Sequence, residues 1–409
     1  MSGSDRLDGR IRLRRDGQQW DFDRAINETG RVFHFQLPGR GRLPASVKMH
    51  SMISKQVGTN AARLEKLAQA EAAAGHDITA LEFYYDAAVG YANAAHTVLA
   101  LNEEKKFLYG GSLRCYDEVR RLSPAPIEKI DVPWEGTTVS GYLHLADVTG
   151  PAPLIFFIPG CDTTKEMYPH PLYNFATARG LHLFVFDGPG QGESNIRGIK
   201  LTADNYERAA SAALSHLIER DDVDAGRVGL YSLSFGSYWG ARFAATEPRL
   251  AAAAIVWASI CDKYHLFEED SPRYKQLFAF LTQAQSEAEL DAFRDAMALD
   301  DLLPQIACPV LVTSGQYDPR SPLDEVYQLF DSISAPSELW IFEDQHHNTN
   351  LKANFGQNWL GDHHSLATDW LKDRLDGKPI GEPGVTKWIP PRGLSPNDPG
   401  IARKRTWYA

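Results

Sequence analysis

Cysteine is scarce in this chain. Its 409 residues include four, Cys115, Cys161, Cys261 and Cys308, far apart and without a Cys-x-x-Cys pair. That spacing argues against a disulfide framework or a zinc site and for a reducing compartment. Positive charge is in deficit too. There are 42 Lys and Arg against 53 Asp and Glu, for a net charge of −11, which argues against nucleic acid as the main partner and against a polybasic membrane patch. Only the tail "IARKRTWYA" is locally basic. Long hydrophobic runs are missing as well. The longest, "LAAAAIVWASI", is too short to span a bilayer, and "MSGSDRLDGRIRLRRDG" has no apolar stretch of the signal-peptide kind. These absences lead us to expect a soluble cytoplasmic protein with no membrane association.

What the chain does have is material for a large core, with 43% hydrophobic and 11% aromatic residues. Its length predicts one large domain with an appendage, or two domains. Up to residue 125 the texture is mainly helical. "AARLEKLAQAEAAAG" and "DITALEFYYDAAVGYANAAHTVLAL" carry apolar residues at three- and four-residue spacing, broken at Gly75-His76-Asp77, which predicts two antiparallel helices with Asp77 or Thr79 near an N-cap. One such pair is too little for a solenoid. The aromatics here, Phe83, Tyr84, Tyr85 and Tyr91, suit either a hydrophobic substrate or helix packing.

From residue 126 to 380 strands alternate with helices. "IEKIDVPWEGTTVSGYLHLA" predicts two β-runs with a turn at Glu135-Gly136. Six further strands follow, in "PLIFFIPG", "GLHLFVFDGPG", "RVGLYSLS", "LAAAAIVWAS", "CPVLVTSG" and "SELWIFE". Runs apolar on both faces, separated by helical segments, describe an α/β fold with a mostly parallel sheet covered on both sides. The helical stretch 262–305 interrupts that rhythm and is expected to be a lid. Residues 381–409, rich in Pro and Gly, are expected to form an extended arm on the surface.

The chemistry centres on "SLSFG", Ser232 to Gly236, between an apolar strand and the helical "YWGARFAA". A nucleophilic serine needs a base, an acid that orients the base, and donors for an oxyanion. The Gly-x-Ser-x-Gly elbow of α/β-hydrolases supplies the serine at such a strand-turn-helix, followed in chain order by Asp or Glu and then His, each after a strand end. Ser234 fits the nucleophile, and Asp318 after "CPVLVTSGQY" fits the acid. His346 and His347 both stand after "ELWIFEDQ". Spacing from the strand end favours His347 as the base, with His346 the alternative. A plain turn at Ser234 and a helix-capping role for Asp318 are the bland readings, and the shared order and context of all three argue against them. His363-His364 lies in the next helical segment and reads as structural. The oxyanion donors are expected to be the backbone amides of Phe235 and Cys161, with Gly160 letting the backbone approach the substrate. "DGPGQGES" matches neither a dinucleotide fingerprint nor a P-loop, so no nucleotide, cofactor or metal is expected; it reads as a turn beside the cleft. The departure from pattern is Ser232, where the elbow has glycine. A serine can be accommodated there if its oxygen finds a backbone partner.

"FDGPGQGES" with "CDTTKEMY" before it, "EPRLAAAAIVW" and "LPQIACPVLVTSGQYD" resemble the 2,6-dihydroxypseudooxynicotine hydrolase group. This group includes fungal hydrolases that shorten polyketides in pigment synthesis. The similarity covers roughly residues 80 to 385. It implies an α/β-hydrolase core, a helical N-terminal domain closing over the site, often a homodimer, and cleavage of carbon–carbon bonds next to a ketone by a Ser-Asp-His triad. Carried over, it supports Ser234, Asp318 and His347, with Phe235 and Cys161 as the oxyanion hole. It further implies a lid carboxylate near the substrate. "HLFEED" offers Glu268 or Glu269, of which Glu269 is taken as the substrate-binding candidate against the plainer reading of a solvated acidic run. The expected partner is a small aromatic or hydrophobic molecule. A carboxylesterase or lactonase, a non-hydrolytic acyl transferase or cyclase, and a non-catalytic scaffold are the competing readings.

Overall fold

The computed structural model describes residues 47, 49–258, 263, 265–269, 272–318, 320–343, 345–347, 362–389 and 401–402. The chain enters as three helices, α1 (Ile53–Ala73), α2 (Asp77–His96) and α3 (Glu103–Leu122). The third goes beyond the helix pair that periodicity predicts, since Gly110-Gly111 interrupts its apolar pattern. Its ends are well specified even so. The Asn102 side chain accepts from Lys105 N at 2.9 Å, acids fill the first turn and Arg120 and Arg121 the last, as capping and the helix dipole favour. The α2 N-cap is His76, which places Asp77 at the first helical position.

The strands β1 (Ile127–Trp134) and β2 (Thr137–His144) form a hairpin whose turn residues Glu135 and Gly136 both have positive φ, 45° and 76°, the twist-matched I′ arrangement. Next come β3 (Ala152–Ile158), β4 (His182–Asp187), a short α4 (Gly192–Ile196), α5 (Asn205–Leu217), β5 (Val223–Leu233), α6 (Gly236–Thr246) and β6 (Ala252–Val256). A one-turn π-helix at His265–Glu269, α7 (Pro272–Thr282) and α8 (Glu287–Ala296) interrupt the alternation. It resumes with β7 (Val310–Gly315), α9 (Leu323–Asp331), β8 (Ser337–Phe342), α10 (Asp362–Leu375), β9 (Val385–Ile389) and β10 (Ile401–Ala402). The sheet order is β1-β2-β4-β3-β5-β6-β7-β8-β9-β10, parallel from β4 to β9.

Segment 381–409 is described at 381–389 and 401–402, and the described part departs from the expected extended surface arm at β9. Its β9 pairs in parallel with β8 and buries Trp388. The Pro- and Gly-rich flanks hide a five-residue strand because parallel pairing to a distant neighbour leaves no local signal.

Alternation along β3 sorts the interior. Leu154, Phe156 and Ile158 join the core on one face, beneath α5, α6 and α7, while Ile155 and Phe157 join the other. That second core runs without a break into the helical module, through Tyr91, Tyr109 and Tyr116. Tyr84, Tyr85 and Tyr91 are packed there; the Tyr85 hydroxyl donates to Met167 O at 2.8 Å and that of Tyr91 to Glu65 at 2.8 Å. Among the described residues no helix is long and apolar enough to cross a membrane.

Candidate active site

Ser234 occupies the turn between β5 and α6 with φ of +56°. A non-glycine residue in that region costs on the order of 1–3 kcal/mol and persists where its surroundings enforce it. Here Ser234 N donates to Val256 O at 2.9 Å, and Ser234 O accepts from Ser237 N at 2.8 Å. Gly236 is required by close approach, since a Cβ there would lie 2.4 Å from Pro159 O. The elbow's missing first glycine has a compensating partner. Ser232 is fully buried, its hydroxyl donates to Ala254 O at 3.2 Å, and it faces Gly240 of α6, where a Cβ would lie 2.3 Å from Ser232 Oγ. Room for the serine is made on the helix.

Asp318 and His347, from the loops after β7 and β8, converge on Ser234. Ser234 Oγ lies 2.7 Å from His347 Nε2, and His347 Nδ1 lies 2.6 Å from Asp318 Oδ2. Asp318 is 3% and His347 7% exposed. With Nδ1–H donating to the carboxylate, Nε2 is left to accept the serine proton. His346 points elsewhere, its Nδ1 2.9 Å from Tyr317 O. His364, in α10, pairs with the Tyr231 hydroxyl at 2.7 Å, and burial holds its pKa well below the ordinary value.

Gly160 lies against the serine, with a Cβ there 3.2 Å from Ser234 Cβ. Cys161 follows it, and burial pushes its thiol pKa far up, which keeps it an unreactive thiol. Phe235 is the N-cap residue of α6, where backbone N–H groups lack intrahelical acceptors. Glu268 is exposed and tied to Lys275 at 3.1 Å and Arg294 at 2.9 Å. The Glu269 side chain lies outside the described residues.

Three contributors, Gln191, Trp257 and Arg273, are given no role by the sequence. Gln191, within "DGPGQGES", donates to Gly160 O at 2.8 Å and accepts from the Tyr206 hydroxyl at 2.5 Å. Tyr206 in turn stacks on Trp239 at 4.2 Å, and Trp239 meets the Phe235 ring at 5.0 Å. One chain of contacts thus braces the loop at Gly160 against the turn at Ser234. Trp257, with φ of 52°, brings its ring within 5.9 Å of His347. Arg273 of α7 donates to Asp162 at 3.4 Å, joining the inserted helices to the same loop.

A mostly parallel sheet with Ser, Asp and His after the ends of β5, β7 and β8 defines an α/β-hydrolase, a class of enzyme. The model of the family described as "Esterase FrsA-like" matches residues 59–375, and the chain belongs to that family. It is 29% identical over 269 residues to the 2,6-dihydropseudooxynicotine hydrolase of Paenarthrobacter nicotinovorans, covering 65% of this chain and 71% of that one. To hydrolase LUC6 of Fusarium sp it is 27% identical over 313 residues, 64% of this chain and 73% of that protein. The crystal structure of the 2,6-dihydroxy-pseudo-oxynicotine hydrolase superposes with a TM-score of 0.71 at 25% identity, covering 84% of this chain and 93% of that one. The protein is a hydrolase of the α/β-hydrolase fold, related to proteins named as hydrolases and esterases.

Proposed function

We propose that Ser234, His347 and Asp318 form a catalytic triad that hydrolyses a carbon–carbon bond next to a ketone in an aromatic or polyketide-like substrate. The observation that carries this reading is the unbroken chain from Ser234 Oγ through His347 to Asp318, with bonds of 2.7 and 2.6 Å. His347 Nε2 takes the hydroxyl proton as Ser234 Oγ attacks the carbonyl carbon. The resulting oxyanion is held by the amides of Phe235 and Cys161, each worth about 10²–10³ in rate in such sites. The tetrahedral carbon then expels its leaving group, which takes the proton from His347. For a β-dicarbonyl or acyl-phenol that leaving group is a resonance-stabilised carbanion, so the same apparatus serves carbon and oxygen leaving groups alike. Water, deprotonated by His347, frees the acyl group as an acid and restores Ser234. Residues 262–305 act as a lid over this site, residues 1–125 as a cap, and the working unit is a homodimer.

The family name favours ester hydrolysis as the second reading. Turnover of β-dicarbonyl compounds and nitrophenyl esters, followed by mass spectrometry in ¹⁸O-labelled water, separates the two. Carbon–carbon hydrolysis leaves a ketone or arene and one labelled acid. Ser234→Ala is expected to lower kcat by about 10⁶ with the melting temperature retained; retained turnover would overturn the triad.

A further inference from the structure

Between the helical module and the loops beside Ser234 lies a small pocket that is partly open to solvent. Its walls come from α2 and α3, from the loop at Cys161, from the Gly190-Gln191-Gly192 turn, and from α7. Leu277, Phe280 and Leu281 make one side apolar. Cys161 is both a wall of the cavity and the neighbour of Gly160, which lies against Ser234.

Two polar side chains on the lining are unusual. Lys105 of α3 is 7% exposed, and its Nζ donates to Ala95 O and Val98 O at 3.0 Å each and lies 4.6 Å over the Phe280 ring. No carboxylate of the described residues lies within 4.0 Å of it. Burial alone brings its pKa down to about 7, so an anion arriving there would restore the ammonium. Asn195 is 3% exposed, and neither its amide nitrogen nor its amide oxygen has a partner within the described protein. A buried amide left unpaired costs on the order of 1–3 kcal/mol, which a ligand oxygen would recover. The cavity's own carboxylate, Asp162, is already engaged by Arg273 at 3.4 Å.

We propose that this cavity receives one arm of the substrate, and that Lys105 and Asn195 bind an anionic oxygen, such as a carboxylate, at the end of that arm. The position of the scissile bond rests on the triad reading of Ser234; the binding of the anion does not. The test therefore uses affinity in the Ser234→Ala protein, measured calorimetrically with benzoylpropionate and with benzoylpropionamide, which differ in charge and little in shape. Benzoylpropionate is expected to bind about tenfold or more tightly than the amide. Lys105→Met is expected to bring the two affinities within about twofold, and Asn195→Ala to weaken the carboxylate several-fold. Equal affinities in the Ser234→Ala parent, or a preference that survives Lys105→Met, would overturn the proposal. Should Lys105→Met not fold, Asn195→Ala decides alone, and an unchanged carboxylate affinity there overturns it. Failure of the triad reading would show separately, as wild-type protein that a fluorophosphonate does not label.

Discussion

Two lysines are buried where the helical module meets the catalytic sheet, and they are treated in opposite ways. Lys165 Nζ is fully enclosed and surrounded by carboxylates, at 2.6 Å from Glu166, 3.1 Å from Asp187 and 3.0 Å from Glu193. Burial alone would push its pKa down, but Asp187 and Glu166 outweigh that and hold it well above the ordinary range. Lys105 has two backbone carbonyls and an aromatic face, and burial pulls its pKa down to about 7. The difference separates two uses of one side chain. A buried charge whose counter-charges are built in is part of the scaffold, because moving any of it leaves an uncompensated ion. A buried charge whose counter-charge is missing marks a place for something to bind.

The first way to sharpen this contrast is to remove the scaffold lysine. Lys165→Met takes the cation away from Glu166 and Asp187, while Glu193 keeps Lys129 and Arg197, and the Tyr109 hydroxyl that bonds Glu166 and Asp187 loses its setting. The expected loss is about 3–5 kcal/mol, read as a fall in denaturation midpoint. A midpoint within error of wild type would mean that the carboxylates take up protons freely and that the cluster is no scaffold.

The scaffold cluster also shows what sequence could and could not reveal. Apolar runs with period and punctuation laid out the sheet and its helices, because strand burial is written locally in consecutive residues. Ser234, Asp318 and His347 were legible because each follows a strand end in a set order. Spacing from the strand end favours His347 over His346, and the fold sets His347 Nε2 2.7 Å from Ser234 Oγ and turns His346 towards Tyr317 O. Ser232 reads as a departure that a backbone partner can accommodate, and Gly240, eight residues on, supplies the volume it needs. Lys105 and Asn195 stood outside any quoted motif, while Lys165 and Gln191 lay inside "CDTTKEMY" and "DGPGQGES" with no role assigned to them. Lys105 reaches Ala95, Lys165 reaches Tyr109 and Gln191 reaches Gly160, which lie 10, 56 and 31 positions away, and only the fold decides which lysine meets a carboxylate. Glu269 rested on resemblance alone, and its neighbour Glu268 is bound into ion pairs with Lys275 and Arg294.

Removing the other lysine is expected to act with the opposite sign. Below about pH 7 both folded and unfolded chains carry the Lys105 proton, and the full cost of the buried charge is present. Between about 7 and 10.5 the unfolded chain keeps the proton while the folded chain releases it, so wild-type stability rises with pH across that window. Lys105→Met therefore gains about 1–4 kcal/mol at pH 6, after the loss of two carbonyl bonds, and the gain fades towards pH 10. His96 and Asp162 face the same cavity, as does Tyr109 of Lys105's own helix. Urea denaturation at pH 6 and pH 9.5 checks it. A pH-independent difference would show that the folded chain keeps Lys105 charged.

The smallest effect is expected at the residue that touches both regions. Tyr109 lines the cavity, and its hydroxyl lies 2.9 Å from Glu166 and 3.1 Å from Asp187. Asp187 has other partners in Lys165 N at 2.8 Å and Glu193 N at 3.1 Å, so Tyr109→Phe leaves no acceptor wholly bare. The expected cost is about 1–2 kcal/mol, that of one hydrogen bond to charged groups, with the ring's packing kept. The same variant reports on the cavity. If Lys105 and Asn195 alone recognise the anionic arm, Tyr109→Phe leaves the preference of the Ser234→Ala protein for benzoylpropionate over its amide unchanged. A preference that falls together with stability would instead mean that the carboxylate cluster and the cavity form one electrostatic unit, and the separation of the two lysines would fail.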